Sequence, residues 1–302
     1  MRLPPNLTEQ LDKITGGNIY GASMSEYTSF KIGGAADVLV QPSSAEQIQA
    51  ILRICGEYET LYTVIGNGSN LLVSDDGIRG VVIMIGGSFS DVCVNGDVIT
   101  AQSGAMLSKI ASTAAANGLS GLEFASGIPG TLGGALFMNA GAYGGEMKDV
   151  VLRTEYLTHI GEICAVEGDA HMFRYRGSMF SDNGHIILQS EMRLVRGDEQ
   201  EIRAKMSELN AKRRDKQPLN LPSAGSTFKR PKDNFAGTLI EQCGLKGYSI
   251  GGAQVSEKHA GFVVNTGGAT ALDVMRLMEH VQNTVYRQCG VMLEPEVRML
   301  GF

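Results

Sequence analysis

The stretch GIPGTLGGALFMNAGAYGGE, Gly127 to Glu146, places seven glycines in twenty positions. Each glycine loses more backbone freedom on folding than other residues do, roughly 0.5–1 kcal/mol relative to alanine in regular structure. Such density implies that something lies flat against this backbone. An earlier loop, IGNGSNLLV from Ile65 to Val73, runs from a strand pattern into Gly66, Asn67, Gly68, Ser69 and Asn70 and then returns to apolar residues. Small, φ-tolerant residues there let successive N–H groups converge on an anion, and Asn and Ser add donors. The same residues also serve an ordinary strand connection, and the loop alone does not choose. No GxGxxG opens a helix and no GxxxxGK[ST] occurs. A nucleotide site here therefore belongs to a fold other than the Rossmann or P-loop types.

Working outward, Ser43 and Glu46 form a capping box ahead of Ile48, Ile51, Leu52 and Cys55, whose spacing puts them on one helical stripe. Leu61 to Ile65 and Val81 to Ile85 read as strands, and DVCVNGDVITA alternates around Asn95-Gly96, the dipeptide suited to a type I′ hairpin turn. Leu107, Ile110, Ala111 and Ala114 mark a short helix stopped by Gly118. Strand patterns return at Val150 to Leu157 and Ile186 to Met192. A helical, charged connector covers Asp198 to Arg214, which puts the main domain boundary near residue 200. Beyond it, Thr270 and Asp273 cap a helix with a stripe of Val274, Leu277, Met278, Val281 and Val285. The expected division is 1–75, 76–200 and 201–302.

A chain of 302 residues can bury its cores without cross-links. Cys55, Cys93, Cys164, Cys243 and Cys289 are odd in number and scattered, so neither a disulfide ladder nor a CxxC metal site is expected, and a reducing compartment fits. MRLPPNLTEQLDK has no apolar run behind its charges, and no stretch approaches the roughly 20 apolar residues of a membrane span. The expectation is a cytoplasmic protein. A net charge of −6 with both signs interspersed argues against a nucleic-acid partner.

The segments YTSFKIGGAADVLV, IGNGSNLLVSDDGIRGVVI, GLEFASGIPGTLGGALFMNAGAYGGEM, FRYRGSMF, QPLNLPSAGSTFKRP, LIEQCGLKGYSIGGAQVSEKHAGFVVN and LEPEVRML resemble the UDP-N-acetylenolpyruvoylglucosamine reductase family, in the family's order, from about residue 27 to 301. The resemblance implies an α+β protein with a two-part FAD-binding fold of the vanillyl-alcohol-oxidase (PCMH) type in residues 1–75 and 76–200. A C-terminal α+β substrate-binding domain would occupy 201–302. It implies FAD, NADPH as reductant, and a UDP-sugar enolpyruvyl ether as the small-molecule substrate; the FAD is expected to be non-covalent because neither glycine loop holds a histidine or cysteine.

The residues carried over follow the motifs. Gly66, Asn67, Gly68, Ser69 and Asn70 would lie against the FAD pyrophosphate. Gly127, Ile128, Pro129, Gly130 and Gly134 would lie near the isoalloxazine, with Asn139 and Gly141 in the same loop. Arg176, after Tyr175, matches the family's carboxylate-binding arginine, and Glu296 matches its active-site glutamate. Ser226 in AGSTFK matches its proton donor. Arg214, Lys216 and Lys229 cluster in sequence around that motif and would meet the substrate diphosphate. Without the family, Arg176 and Glu296 read as surface charges and Ser226 as a turn hydroxyl. Ser181 stands where the family often has lysine, and the chain ends soon after LEPEVRML, as in a shorter subtype lacking a tyrosine-bearing substrate loop. An oxidase of the same flavin fold, or a non-catalytic nucleotide-binding module, would share the glycine loops but has no reason to carry AGSTFK and LEPEVR together.

Overall fold

The structure is a computed structural model that describes residues 3–302. The described residues hold eight α-helices: α1 Pro5–Thr15, α2 Ala45–Glu57, α3 Leu107–Ala116, α4 Leu132–Phe137, α5 Met179–Asn183, α6 Glu199–Lys216, α7 Ala236–Gln242 and α8 Ala271–Cys289. No helix among them is long and apolar enough to cross a membrane. The chain forms two compact units. Of the described residues, the first takes 3–20, 38–67 and 80–213, and the second 21–37, 68–79 and 214–302. The chain thus changes unit inside the first glycine loop, between Asn67 and Gly68, and again inside α6, between Arg213 and Arg214.

In the first unit, five antiparallel strands stand in the order Ile163–Glu167, Val151–Leu157, Ile186–Arg193, Val98–Gln102, Val92–Asn95. A buried cluster that includes Ile99, Leu107, Ile110, Leu132, Leu136, Phe180 and Met192 joins this sheet to α3 and α4. A second cluster packs Leu7 and Leu11 of α1 and Ile48, Ile51 and Cys55 of α2 on Val81 and Ile83. Strand Tyr62–Ile65 runs parallel to Ile78–Met84, pairing Tyr62 with Val81 and Ile65 with Met84.

The second unit carries an antiparallel sheet, Ser249–Ile250, Ala253–Val255 and Val263–Asn265, with α7 and α8. Arg298–Leu300 lies parallel to Leu71–Val73. On α8 the stripe Val274, Leu277, Met278, Val281 and Val285 is buried as its spacing predicts. Fully burying one such side chain is worth roughly 1.5–3 kcal/mol, against about 1 kcal/mol for a cap, so packing rather than capping fixes this helix. The cap forms as well: the Thr270 hydroxyl accepts from Asp273 N–H at 3.0 Å, and Asp273 accepts from Thr270 N–H at 3.0 Å.

Two local expectations shift. The N-cap of α2 is Ser44, whose hydroxyl accepts from Gln47 N–H at 3.3 Å, while Ser43 donates to the Gln47 side chain at 2.7 Å. A three-residue offset selects Gln47 for Ser44, and Glu46 takes no part in a reciprocal cap with Ser43. The hairpin forms, but Asn95 pairs with Val98, so Gly96-Asp97 is the central pair. Only Gly96 has positive φ, at 64°, the pattern of a type II′ turn.

Candidate active site

Within the first unit the two glycine-rich loops meet. The Asn67 amide donates to the Pro129 carbonyl at 2.8 Å, and a side chain at Gly66 would land on the Thr131 hydroxyl. Residues 103–105 brace the second loop from below: Leu132 N–H donates to Ala105 O at 2.8 Å, and Gly133 N–H to Ser103 O at 2.8 Å. The Ser103 hydroxyl is itself buried with no hydrogen-bond partner. Over Gly134 the nearest protein atom to an added Cβ would be the Thr131 hydroxyl oxygen at 3.8 Å, so the backbone there is open to close approach. An orphaned hydroxyl beside a glycine backbone with room above it fits a bound nucleotide, because a buried donor left unmade costs about 1–3 kcal/mol.

Not every glycine of the loop is explained that way. A side chain at Gly127 would strike Asn210 of α6 and come within 3.2 Å of Arg213 Cδ, and one at Gly141 would come within 2.7 Å of Gly145 O. Protein packing alone requires glycine at both. Asn139, with φ 44°, is buried, and its side chain serves the protein: it donates to Glu146 at 2.7 Å and to Arg174 O at 3.2 Å and accepts from Lys148 N–H at 2.9 Å.

The contact to Arg174 ties the glycine loop to the arginine turn. Arg174 and Gly177 exchange backbone hydrogen bonds of 3.0 and 3.1 Å around Tyr175-Arg176. Arg176 has φ 55°, whereas Tyr175 is not among the positive-φ residues, which is the pattern of a type II turn with arginine where glycine is usual. A non-glycine residue held in the left-handed region of a tight turn is strained, and such positions cluster at functional sites. The turn is locked from its flanks: Arg174 pairs with Asp182, and the Ser178 hydroxyl donates to Phe137 O at 2.8 Å. Ser181 caps α5, accepting from Ser178 N–H at 3.1 Å, so the residue that departs from the family supports the turn locally. The Arg176 guanidinium carbon sits 5.0 Å from the centroid of the Tyr175 ring.

Arg213, which reads in the sequence as one more charge on a connector helix, is half-buried beside Gly127. Burial pulls its guanidinium below the ordinary value, and Tyr143 of the glycine loop opposes that. It forms no ion pair with a carboxylate among the described residues. Nothing in the spacing of AKRRDK distinguishes it from Lys212, which pairs with Glu208 at 2.5 Å.

Within the second unit the structure brings Ser226 and Glu296 together. Glu296 N–H donates to Thr227 O at 2.8 Å, Lys229 N–H donates to Glu294 O at 2.8 Å, and Phe228 bridges to Pro295. Thr227 anchors the segment on its other side: its N–H donates to Gly261 O at 2.9 Å, and its buried hydroxyl accepts from Val263 N–H at 2.9 Å. Asn70, from the end of the first glycine loop, donates to the Glu296 carbonyl at 3.1 Å. Gly68, with φ 62°, could carry no side chain, because its Cβ would strike the Tyr27 carbonyl.

The basic residues are divided. Lys229 Nζ lies 3.3 Å from Glu294. The Arg214 carbonyl accepts from Lys258 Nζ at 2.6 Å. Burial first, then Lys246 and Lys216, push the His259 imidazole below its usual range, with Glu241 and a backbone hydrogen bond opposing. Its Nδ1 accepts from Gly261 N–H at 3.1 Å, next to the strand that holds Thr227.

A model of the FAD binding domain matches residues 36–167, and a model of the C-terminal domain of UDP-N-acetylenolpyruvoylglucosamine reductase matches residues 217–300. A solved alkyldihydroxyacetonephosphate synthase shares the fold at 18% identity, with a TM-score of 0.50, covering 65% of this chain and 41% of that one. The protein is thus an α+β flavoprotein with a two-part FAD-binding fold and a C-terminal domain.

UDP-N-acetylenolpyruvoylglucosamine reductases from Caldanaerobacter subterraneus and Clostridioides difficile are each 50% identical to it. They align over 94% of both chains and over 92% and 91% of the two chains respectively. The crystal structure of the Thermus caldophilus reductase matches with a TM-score of 0.80 at 33% identity over 94% of this chain and 98% of that one. The chain belongs to the UDP-N-acetylenolpyruvoylglucosamine reductase family. It is an oxidoreductase that uses FAD, with NADPH as the reductant that goes with the family, and the family serves peptidoglycan synthesis.

Proposed function

We propose that the protein reduces the enolpyruvyl ether of UDP-N-acetylglucosamine enolpyruvate to the lactyl ether, forming UDP-N-acetylmuramate in the cytoplasm. When bound, FAD supplies the hydride to the terminal methylene and is refilled by NADPH. The observation that most supports this reading is the backbone tie between the Thr227 carbonyl and Glu296 N–H, which fixes the serine and glutamate of two distant motifs as neighbours.

The residues divide the work by chemistry. Charge that builds on the substrate carboxylate needs a cationic fork, and a guanidinium presents two parallel donors where an ammonium presents a point charge. Arg176 has this role, and its strained turn aims the fork before substrate arrives. Glu296 acts with it on the carboxylate. Ser226 Oγ gives its proton to the oxygen-bearing carbon, and the alkoxide left behind needs cations and donors close by, for which Lys229 and Arg230 are the sequence neighbours. Arg214, Lys216 and Lys229 take the substrate diphosphate, and Tyr175 is a further substrate-binding residue. Gly66 to Asn70, Gly127 to Gly130, Gly134, Asn139 and Gly141 belong to the FAD site, with Asn139 acting through the turn it braces and Arg213 offering an unmatched charge to an anion. Along the sequence, residues 1–75 and 76–200 correspond to the two parts of the FAD domain and 201–302 to the substrate domain, while 21–37 and 68–79 pack in the second compact unit and 201–213 in the first.

The two half-reactions test the assignment. Flavin reduction by NADPH needs no proton from Ser226, whereas reoxidation by the enolpyruvyl substrate does. In Ser226→Ala, bleaching by NADPH should stay near the normal rate while reoxidation slows by roughly 10²–10⁴-fold, the usual worth of a positioned general acid. Rapid-mixing absorbance on each step separates the outcomes: if both steps slow together Ser226 is structural, and if neither slows the donor is another group.

A further inference from the structure

Outside the flavin and substrate residues, the second unit contains a pair of thiols that the reaction does not use. Cys243 caps the C-terminal end of α7, its N–H donating to the Leu239 carbonyl at 3.1 Å, and Cys289 is the last residue of α8. Although 46 residues apart in sequence, their Sγ atoms are 3.8 Å from each other, and Cys289 is exposed while Cys243 is half-buried. The other three cysteines form no such contact: Cys55 is buried, with its thiol pushed up to about 11, and Cys93 and Cys164 lie at separate places on the first unit.

We propose that Cys243 and Cys289 are a reversible disulfide site, a latch between the carboxyl ends of α7 and α8. A disulfide needs its sulfurs at about 2.05 Å, and two Sγ atoms already in contact reach that distance by side-chain rotation, without unfolding either helix. The oxidant is a two-electron thiol oxidant, hydrogen peroxide in the test below. The exposed Cys289 gives up its proton, its thiolate attacks the peroxide to form the sulfenic acid, and the departing hydroxide takes up that proton and leaves as one water. Cys243 sulfur then attacks the Cys289 sulfur, the S–O bond breaks, and a second water leaves with the Cys243 proton. In total two thiols and one peroxide give one disulfide and two waters.

Burial and the neighbouring thiol both raise Cys243, which suits a resolving partner that waits protonated until a sulfenic acid forms beside it. The position also sets the speed. Helix carboxyl ends do not stabilise a thiolate as amino ends do, so the latch answers sustained oxidation rather than a brief pulse. Its place gives it a consequence. The segment that follows Cys289 reaches Glu296, with the Leu293 carbonyl accepting from Gln282 of α8 at 2.8 Å. The segment that precedes α7, residues 217–235, carries Ser226. The bond closes residues 243–289 into one covalent loop, with Ser226 ahead of it and Glu296 beyond it in the chain.

The test uses the purified flavoprotein, held in hydrogen peroxide at pH 8 and then alkylated under denaturing conditions. Before alkylation the intact mass should fall by two hydrogens; after it, peptide mapping should join Cys243 to Cys289, and dithiothreitol added ahead of the alkylating agent should reverse both changes. The oxidised protein should melt several degrees higher, as cross-linking a long loop predicts. Cys243→Ser and Cys289→Ser should each abolish the linked peptide and the melting shift, whereas a variant with serine at positions 55, 93 and 164 should keep both. Sulfinic acid at Cys289 in place of the linked peptide would overturn the proposal, as would a covalent dimer through Cys289 or a linked peptide that survives Cys243→Ser.

Discussion

The glycine loop of the first unit and the serine–glutamate pair of the second are both built from backbone, but by different means. At Gly66, Gly127 and Gly141 the requirement is the absence of a side chain, because Thr131, Asn210 and the Gly145 carbonyl occupy the space. Around Ser226 and Glu296 the requirement is hydrogen bonds, made through Thr227 to Gly261, Val263 and Glu296. The first kind of constraint leaves a mark in composition, since only one residue type satisfies it. The second leaves none, since almost any residue supplies an N–H and a C=O. Glycine density therefore marks the loops of the first unit in the sequence, and the segments around Ser226 and Glu296 carry no comparable signal.

Substitutions can break this contrast at either end. The largest effect after Ser226→Ala is expected from Arg176→Lys. It keeps the charge, loses the fork and stays in the same strained turn, so flavin content should hold while reoxidation by substrate slows by roughly 10²–10³-fold, the cost of one lost oxyanion donor. An unchanged reoxidation rate in rapid mixing would remove Arg176 from the carboxylate clamp. Next comes Gly66→Val, which forces a branched side chain onto the Thr131 hydroxyl. Overpacking of that kind costs about 1–3 kcal/mol. The flavin-to-protein ratio after purification should drop together with the melting temperature, and full flavin occupancy would show that the loop contact can relax.

The smallest effect concerns acid. His171 is fully buried, between the Gly168 carbonyl at 2.9 Å and the Thr154 hydroxyl at 2.9 Å, and burial holds its imidazole below the ordinary range. The carbonyl can only accept, so Nδ1 carries the proton and Nε2 accepts from Thr154. Because the folded value is depressed, the unfolded chain binds the proton more readily. The stabilisation is present above the unfolded value and is lost as pH falls from about 6.5 toward the folded one. The melting temperature should decline across that window more steeply in wild type than in His171→Gln. Equal slopes would place the acid sensitivity elsewhere.

How far the sequence could be read follows the same division. Helix α8 was legible because Thr270, Asp273 and the stripe from Val274 to Val285 all point one way. Helix α1 was not, because Leu7 and Leu11 are its only buried residues, too few to show a period. The parallel pairing of Arg298–Leu300 with Leu71–Val73 joins segments far apart in the chain, and no local pattern encodes a register of that kind. Arg176 runs against turn chemistry, since its left-handed position ordinarily calls for glycine or asparagine, so only the family motif could single it out. Arg213 shows the limit from the other side. Its charge is visible in the sequence, but its burial beside Gly127 depends on where α6 packs.

An anaerobic titration of the purified yellow protein follows electrons from a nicotinamide through FAD to an enolpyruvyl sugar nucleotide. One equivalent of NADPH should bleach the flavin absorbance. One equivalent of UDP-N-acetylglucosamine enolpyruvate should then restore it, with UDP-N-acetylmuramate formed in the same amount. A flavin that NADPH reduces but that stays bleached when the enolpyruvyl substrate is added would contradict the account.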